Sequence, residues 1–297
     1  MEKQDKIKEF IYIARHYFKQ ETNKVYSPTQ IGQHLTNIKK GSRLPNRTKT
    51  AEMIEILESS DKLKKIELSF PSKKYTRYTW GEKSIYEILL SLDVNAYYSH
   101  FSALHFHKLL DRDETDIYLN IEQSPKREYI NTMMQENINK AFSRIPRITN
   151  NVTNYMQNKI YLLNGKNTGK LGVISMKGPH KEKIFLTNIE RTLIDIAIRP
   201  QYSGGVSNVL NVYRKVIQNI SAEKILKMLT KLKYLYPYHQ TIGFYLDKAG
   251  LKKDSIIFRE KIRIKYDFYL TYQIDNPEYC EKWRIYYPKS LFVTPAK

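Results

Sequence analysis

Apolar residues return every three or four positions across residues 3 to 19, at Ile7, Phe10, Ile11, Ala14, Tyr17 and Phe18. With Lys and Glu between them, they predict an amphipathic first helix. A second helix is expected to start at Ser27-Pro28 and run through Ile31 to Leu35, because Ser caps well and Pro suits the first turn. After the basic loop "NIKKGSRLPNR", residues 48 to 59 predict a third helix with Ala51, Ile54 and Leu57 inward. "LKKIELSF" and "KYTRYTW" read as two strands joined by Pro71-Ser72-Lys73-Lys74.

Farther along, Ile85, Ile88, Leu89 and Leu92 mark a short amphipathic helix. Ser99 or Ser102 heads another that carries Ala103, Leu104, Phe106 and Leu110. "DIYLNIEQ", "KIYLLNG", "LGVISMKG" and "KIFLTN" alternate as strands do, while "REYINTMMQENINKAFSRIPRITNN" reads as a helix and a loop. Helical spacing resumes over residues 189 to 198, 205 to 219, 221 to 232 and 238 to 249. The tail, "IIFREKIRIKYDFYLTYQID" and "KWRIYYP", is rich in aromatic and β-branched residues and reads as strand.

The expected fold class is α+β with three parts. Residues 1–81 form an N-terminal winged helix-turn-helix, because three short helices followed by a hairpin is that fold's order. Residues 82–253 form a mixed α/β region ending in a helical bundle, and residues 254–297 a strand-rich C-terminal extension. In a winged helix the third helix enters the major groove and the hairpin touches backbone or minor groove.

Charge sharpens this picture. The 297 residues carry 50 Lys and Arg against 30 Asp and Glu, a net of +20. That predicts a polyanionic partner, with nucleic acid ahead of an anionic membrane surface. Between Met1 and Gly81, 17 basic residues face 9 acidic ones, a net of +8. Lys39, Lys40, Arg43, Arg47 and Lys49 fall in the loop before the third helix and in its first turn; Lys73, Lys74 and Arg77 fall in the hairpin. The expected DNA contacts are Arg43, Arg47, Thr48, Lys49, Lys73, Lys74 and Arg77. The single cysteine, Cys280, allows no intramolecular disulfide and points to a reducing compartment. The start of the chain has no signal-peptide pattern, and no run of about 18 apolar residues occurs. The expected location is cytoplasmic, without membrane contact.

Candidate chemistry is thin. His105 and His107 stand two apart, roughly 200° around a helix, and cannot share a metal. His100 and His107 can face the same way, but no nearby Cys or carboxylate completes a metal set. Glu190 and Asp195 are spaced poorly for one helical face. Gly204-Gly205 lacks the Gly-Lys-Ser/Thr of a phosphate-binding loop and the paired acids of a nucleotidyltransferase. No Gly-x-Ser-x-Gly elbow exists, and Cys280 has no evident histidine partner. "DSIIFREK" resembles a nuclease core, except that Ile262 follows Glu260-Lys261 where the motif needs another step. No metal, cofactor or catalytic residue is expected. As structure, the same stretch is coherent. Asn188 caps a helix, Glu190 and Arg191 lie in its first turn, and Arg199-Pro200 ends it. Asp195 is placed to pair with Arg191 or Arg199 at i, i+4.

"SHFSALHFHKL", "LTNIERTLIDIAIRPQYSGGVSNVLNVYRK" and "YLYPYHQTIGFYLDKAG" together resemble the AbiEi-type antitoxins of bacterial type IV toxin–antitoxin systems. The resemblance covers roughly residues 95 to 252, and Glu190, Arg191, Asp195, Arg199, Gly204, Gly205 and His239 fall in its motifs. It implies an N-terminal winged helix that represses its own operon at inverted repeats in double-stranded DNA. It also implies a C-terminal region that counters a nucleotidyltransferase toxin, usually without a stable complex, in phage defence by abortive infection. Two rival readings share the scaffold: a nucleic-acid-acting effector, and a stand-alone transcription factor. The tail after Lys253 has no counterpart in the resemblance.

Overall fold

The computed structural model describes residues 3–60, 62–110, 115–125 and 133–292. The chain begins with α1 (Lys3–Gln20), β1 (Val25–Tyr26), α2 (Pro28–Lys40), α3 (Thr50–Ser59), β2 (Leu63–Ser69), β3 (Lys74–Trp80) and α4 (Ile85–Leu90). There follow β4 (Tyr97–Tyr98), α5 (His100–Phe106), β5 (Asp116–Asn120), α6 (Gln135–Phe142), β6 (Val152–Tyr155), β7 (Asn158–Leu163), β8 (Val173–Lys177) and β9 (Lys183–Thr187). The last third holds α7 (Ile189–Ile198), α8 (Gly205–Val216), α9 (Ala222–Leu232), α10 (Tyr238–Ala249), α11 (Ile257–Glu260), β10 (Phe268–Tyr269), β11 (Pro277–Cys280) and β12 (Ile285–Pro288). The result is a mixture of α and β with several sheets.

Contacts divide the chain into two units. The first comprises Met1–Ala96, Asn151–Tyr155 and Lys177–Ile184. Its local signals act as their chemistry requires. Ser27 and Gln30 form a reciprocal cap on α2: Ser27 Oγ accepts from the Gln30 N–H at 3.3 Å, and Gln30 Oε1 accepts from the Ser27 N–H at 2.8 Å. Phe10, Ala14 and Phe18 of α1 pack with Ile31, Leu35 and Ile38 of α2 and with Met53 and Leu57 of α3. An antiparallel sheet of order β1-β3-β2 closes this core with Tyr26, Leu63 and Tyr78. Two expectations are corrected here. Met53, not Ala51, takes the interior position on α3, and Ala51 is exposed. The unit also continues past Gly81: α4 buries Ile88 and Leu89, and Ser84 Oγ donates to Glu182 at 2.7 Å, fastening the Lys177–Ile184 segment.

The second unit comprises Tyr97–Asn150, Met156–Met176 and Phe185–Lys297. Here β7, β5, β4, β9 and β8 lie in that order in a mixed sheet. β5 runs parallel to β7 and antiparallel to β4, and β4 is parallel to β9 at Tyr98 and Leu186. Helices α7 to α10 fall where the apolar spacing put them, and Leu193, Ile196, Val209, Tyr213, Ile225 and Ile242 fill their shared core. α6 takes up the middle of the polar segment and a loop follows it, while residues 127–132 of the segment lie outside the described residues.

The tail departs from expectation. Residues 257–260 are helical, not extended, and among the described residues three short strands follow, in the order β10-β12-β11. Nor is the tail a separate extension: Phe258, Phe268, Trp283 and Ile285 are fully buried in the core of α7 to α10. Gly243 of α10 makes this possible, since a Cβ there would lie 2.1 Å from Trp283 Cζ3. The Trp283 indole N–H donates to Asp247 at 3.2 Å, and Lys282 pairs with the same carboxylate at 2.6 Å.

Candidate nucleic-acid interface

The loop between α2 and α3 is built on Lys39. Its ammonium donates to the carbonyls of Asn46, at 2.9 Å, and Thr48, at 3.2 Å. Leu44 is buried beneath, and the Thr48 N–H closes a turn onto the Pro45 carbonyl at 2.9 Å. Thr48 is itself buried, so its side chain belongs to the scaffold of the loop. Arg47 and Lys49 stand exposed on either side of it. Arg43 is also exposed, with Glu9 3.6 Å from its Nε. Lys49 caps α3 without a side-chain hydrogen bond. The helix beyond it carries Glu52, Glu55 and Glu58 and no base, so positive charge is confined to its N-terminal end.

The hairpin turn is closed by paired hydrogen bonds between Phe70 and Lys73, at 3.1 and 3.2 Å. Lys73 lies over the Tyr75 ring, 4.8 Å from its centre. Lys74 and Lys65 both bind Glu67, at 2.8 and 3.1 Å, and their hydrogen bonds hold the Glu67 carboxyl below its ordinary pKa. The tip also meets a neighbour the sequence gave no hint of, because Ser72 Oγ donates to the Asn151 amide oxygen at 2.8 Å.

Arg77 requires correction as an expected DNA contact. It is only 8% exposed, and its Nε and Nη2 donate to Ser91 Oγ and the Ser91 carbonyl, at 3.0 and 2.8 Å. Burial lowers its pKa. Its guanidinium ties β3 to the turn after α4 and does not face solvent phosphate.

The motif of the second unit is also assembled from within. Asn188 Oδ1 accepts from the Arg191 N–H at 2.9 Å and caps α7. Arg191 Nε donates to Asp195 at 2.8 Å; the two residues are 4% and 6% exposed. Arg191 Nη1 reaches the Leu171 carbonyl at 2.7 Å and Thr168 Oγ1 at 3.2 Å. Thr168 in turn binds Glu122, which also accepts from Tyr97 at 2.9 Å. Burial works against the charge on Arg191, but Asp195 and the Tyr234 and Tyr97 hydroxyls outweigh it and raise its pKa. Burial likewise opposes ionisation of Glu122, yet hydrogen bonds from Thr168, Tyr97 and the Lys170 N–H bring its pKa below the ordinary value. Tyr97, Glu122 and Thr168 were invisible to sequence reasoning, because from 23 to 94 residues of chain separate partners that share no local pattern.

Glu190 is half-exposed, and Arg199 ends α7, with its backbone N–H on the Asp195 carbonyl at 3.0 Å. Gly204 and Gly205 have φ of +77° and +86° and turn the chain into α8. His100 and His107 are engaged with Ser99 and the Thr187 carbonyl, at 2.9 and 2.8 Å. His239, in the first turn of α10, is buried, and burial lowers its pKa to about 4. The charged members of the motif lie near one another, since Asp195, Arg191 and Arg199 all act on the same two side chains, His100 and Tyr234. Arg191 and Asp195 clamp a loop to a helix, whereas His239 lies on another helix.

No family model matches the chain, and no curated protein does. Among solved structures it is similar to the RV2827C protein from Mycobacterium tuberculosis, with 14% sequence identity and a TM-score of 0.60. The likeness covers 93% of this chain and 90% of that one and is a likeness of fold.

Proposed function

We propose that the protein is a DNA-binding repressor of the antitoxin type, with its first unit acting as a winged helix. One observation carries the reading. The order α1-β1-α2-α3-β2-β3 with a three-stranded antiparallel sheet agrees with the order expected of a winged helix, and exposed cations sit at the N-terminal end of α3 and at the hairpin tip. Arg43, Arg47, Lys49, Lys73 and Lys74 are the residues assigned to phosphate. Glu52 and Glu55, exposed on α3, suit the exocyclic amine of cytosine in the major groove. The resemblance to the AbiEi-type antitoxins adds the partner: a nucleotidyltransferase toxin, countered by the second unit.

The test is binding to the DNA upstream of the protein's own gene, against unrelated duplex, over a range of salt. If five cations meet phosphates, log affinity falls with log salt at a slope of about −4 to −5. Arg47→Ala with Lys49→Ala weakens binding to every duplex and reduces that slope by about 2. Unchanged, sequence-selective binding by that double variant overturns the assignment. Growth rescue of cells expressing the neighbouring toxin tests the second half of the proposal, and failure to rescue removes it.

A further inference from the structure

A cavity of about 330 Å³ opens in the second unit where α9 ends and α10 begins. Its chemistry is one-sided. Lys233, Arg263 and Lys265 line it, and no carboxylate does. Tyr234, Tyr236 and Tyr266, all half-buried, give it an aromatic wall. Tyr236 is held by Phe268, with ring centres 6.1 Å apart, and the Tyr266 hydroxyl is fixed on the Met133 carbonyl at 2.8 Å. These rings are therefore presented in set positions.

The N-terminus of α10 points its first turn at the same place. Tyr238 and His239 of that turn line the cavity, and the N-cap, Pro237, supplies no side-chain cap to this 12-residue helix. The Tyr238 and Gln240 N–H groups of this turn are bonded to the Tyr236 and Pro237 carbonyls, at 2.8 and 2.9 Å, so what the helix end offers an anion is its dipole. An independent observation is His239 itself. It is 8% exposed, and its Nε2 has no hydrogen-bond partner among the described residues. A buried ring nitrogen left in that state is costly unless something else completes it.

We infer that this cavity binds a nucleoside phosphate, its phosphate held by Arg263 and Lys265 beside the positive end of α10 and its base laid on the tyrosine wall. Guanidinium and ammonium groups suit phosphate, and a flat base stacks on any aromatic face. His239 serves as the neutral hydrogen-bonding group at the inner end. The ligand has two sources, a free nucleotide or a nucleotide within single-stranded nucleic acid. For the second, α9 offers Lys224, Lys227 and Lys231, exposed and spaced three and four apart on the helix whose last turns reach the cavity. The inference rests on the second unit alone and stands whether or not the first unit binds DNA.

The experiment is calorimetric titration of the full chain with uridine and adenosine monophosphates, inorganic phosphate, uridine, and a ten-residue oligouridine. At least one monophosphate should bind about tenfold more tightly than phosphate or uridine alone. Arg263→Ala with Lys265→Ala should weaken it by about tenfold or more, and His239→Leu should weaken it with the melting temperature kept. If the oligouridine binds more tightly than uridine monophosphate and loses that advantage in the Arg263→Ala, Lys265→Ala variant, the source is the polymer; if not, it is the free nucleotide. No binding of any nucleotide or oligonucleotide up to about 10 mM overturns the inference, as does binding that the double variant leaves unchanged. Duplex binding by that variant stays at the wild-type level, so failure here is distinct from failure of the repressor reading.

Discussion

Arg191 and Asp195 are buried together, so removing either one strands the other. Breaking such a pair typically costs about 3–5 kcal/mol, against about 0.3–0.5 kcal/mol for an exposed i, i+4 pair. Asp195→Asn and Arg191→Ala should therefore lower stability in urea by the larger amount, and any loss of function should follow the loss of fold. A folded Asp195→Asn protein without function would make the pair a working site instead. His100 and His239 give a second expectation. Burial lowers both to about 4, well under the ordinary histidine value of about 6.5. Between those values the unfolded chain binds protons that the folded chain refuses, so stability falls as pH drops from about 6.5 toward 4. Urea midpoints from pH 7 to 4.5 should show this slope, and His239→Gln should flatten it; a pH-independent midpoint contradicts it. The caps at Ser27 and Asn188 and the turn at Gly204 were legible in sequence because a cap acts on residues two or three positions away. Arg77 was not, because its partner Ser91 is 14 residues on and nothing local marks that strand position as inward.

Elements were read best where apolar spacing alone decides them. The four helices from Asn188 onward match their predicted limits within a few residues, since each buries one continuous stripe in a common core. β1 escaped notice because two residues carry no alternation; pairing with β3 makes it a strand. The tail misled for the opposite reason, as its aromatic residues pack against α10 and only partly build strands. The hairpin gives the prediction at this scale. On the proposed reading, in which these residues meet backbone and not bases, charge reversal of Lys73 and Lys74 should weaken binding to every duplex alike. Arg77→Ala should instead leave the salt slope of DNA binding intact and lower the melting temperature. A reduced salt slope for Arg77→Ala would return that residue to the interface.

For the whole molecule, the sequence did not disclose how the chain is divided. A single boundary near residue 81 was the natural reading, and the structure places Asn151–Tyr155 and Lys177–Ile184 in the first unit. Deleting residues 1–81 should thus leave those segments without their packing and give a protein that melts lower and less cooperatively than point variants of the interface. A sharp, wild-type-like melt from that truncation would restore the simple boundary. The interleaving also sets a timetable for synthesis. The first unit is complete only when residue 184 has been made, 88 residues after its main stretch ends at Ala96. At about 5–20 residues per second a ribosome needs roughly 4 to 18 seconds to cover that distance. During this interval the nascent first unit waits for its last two pieces while much of the second unit is still unmade, so codon speed between residues 97 and 184 becomes a determinant of how much of the protein reaches its native state.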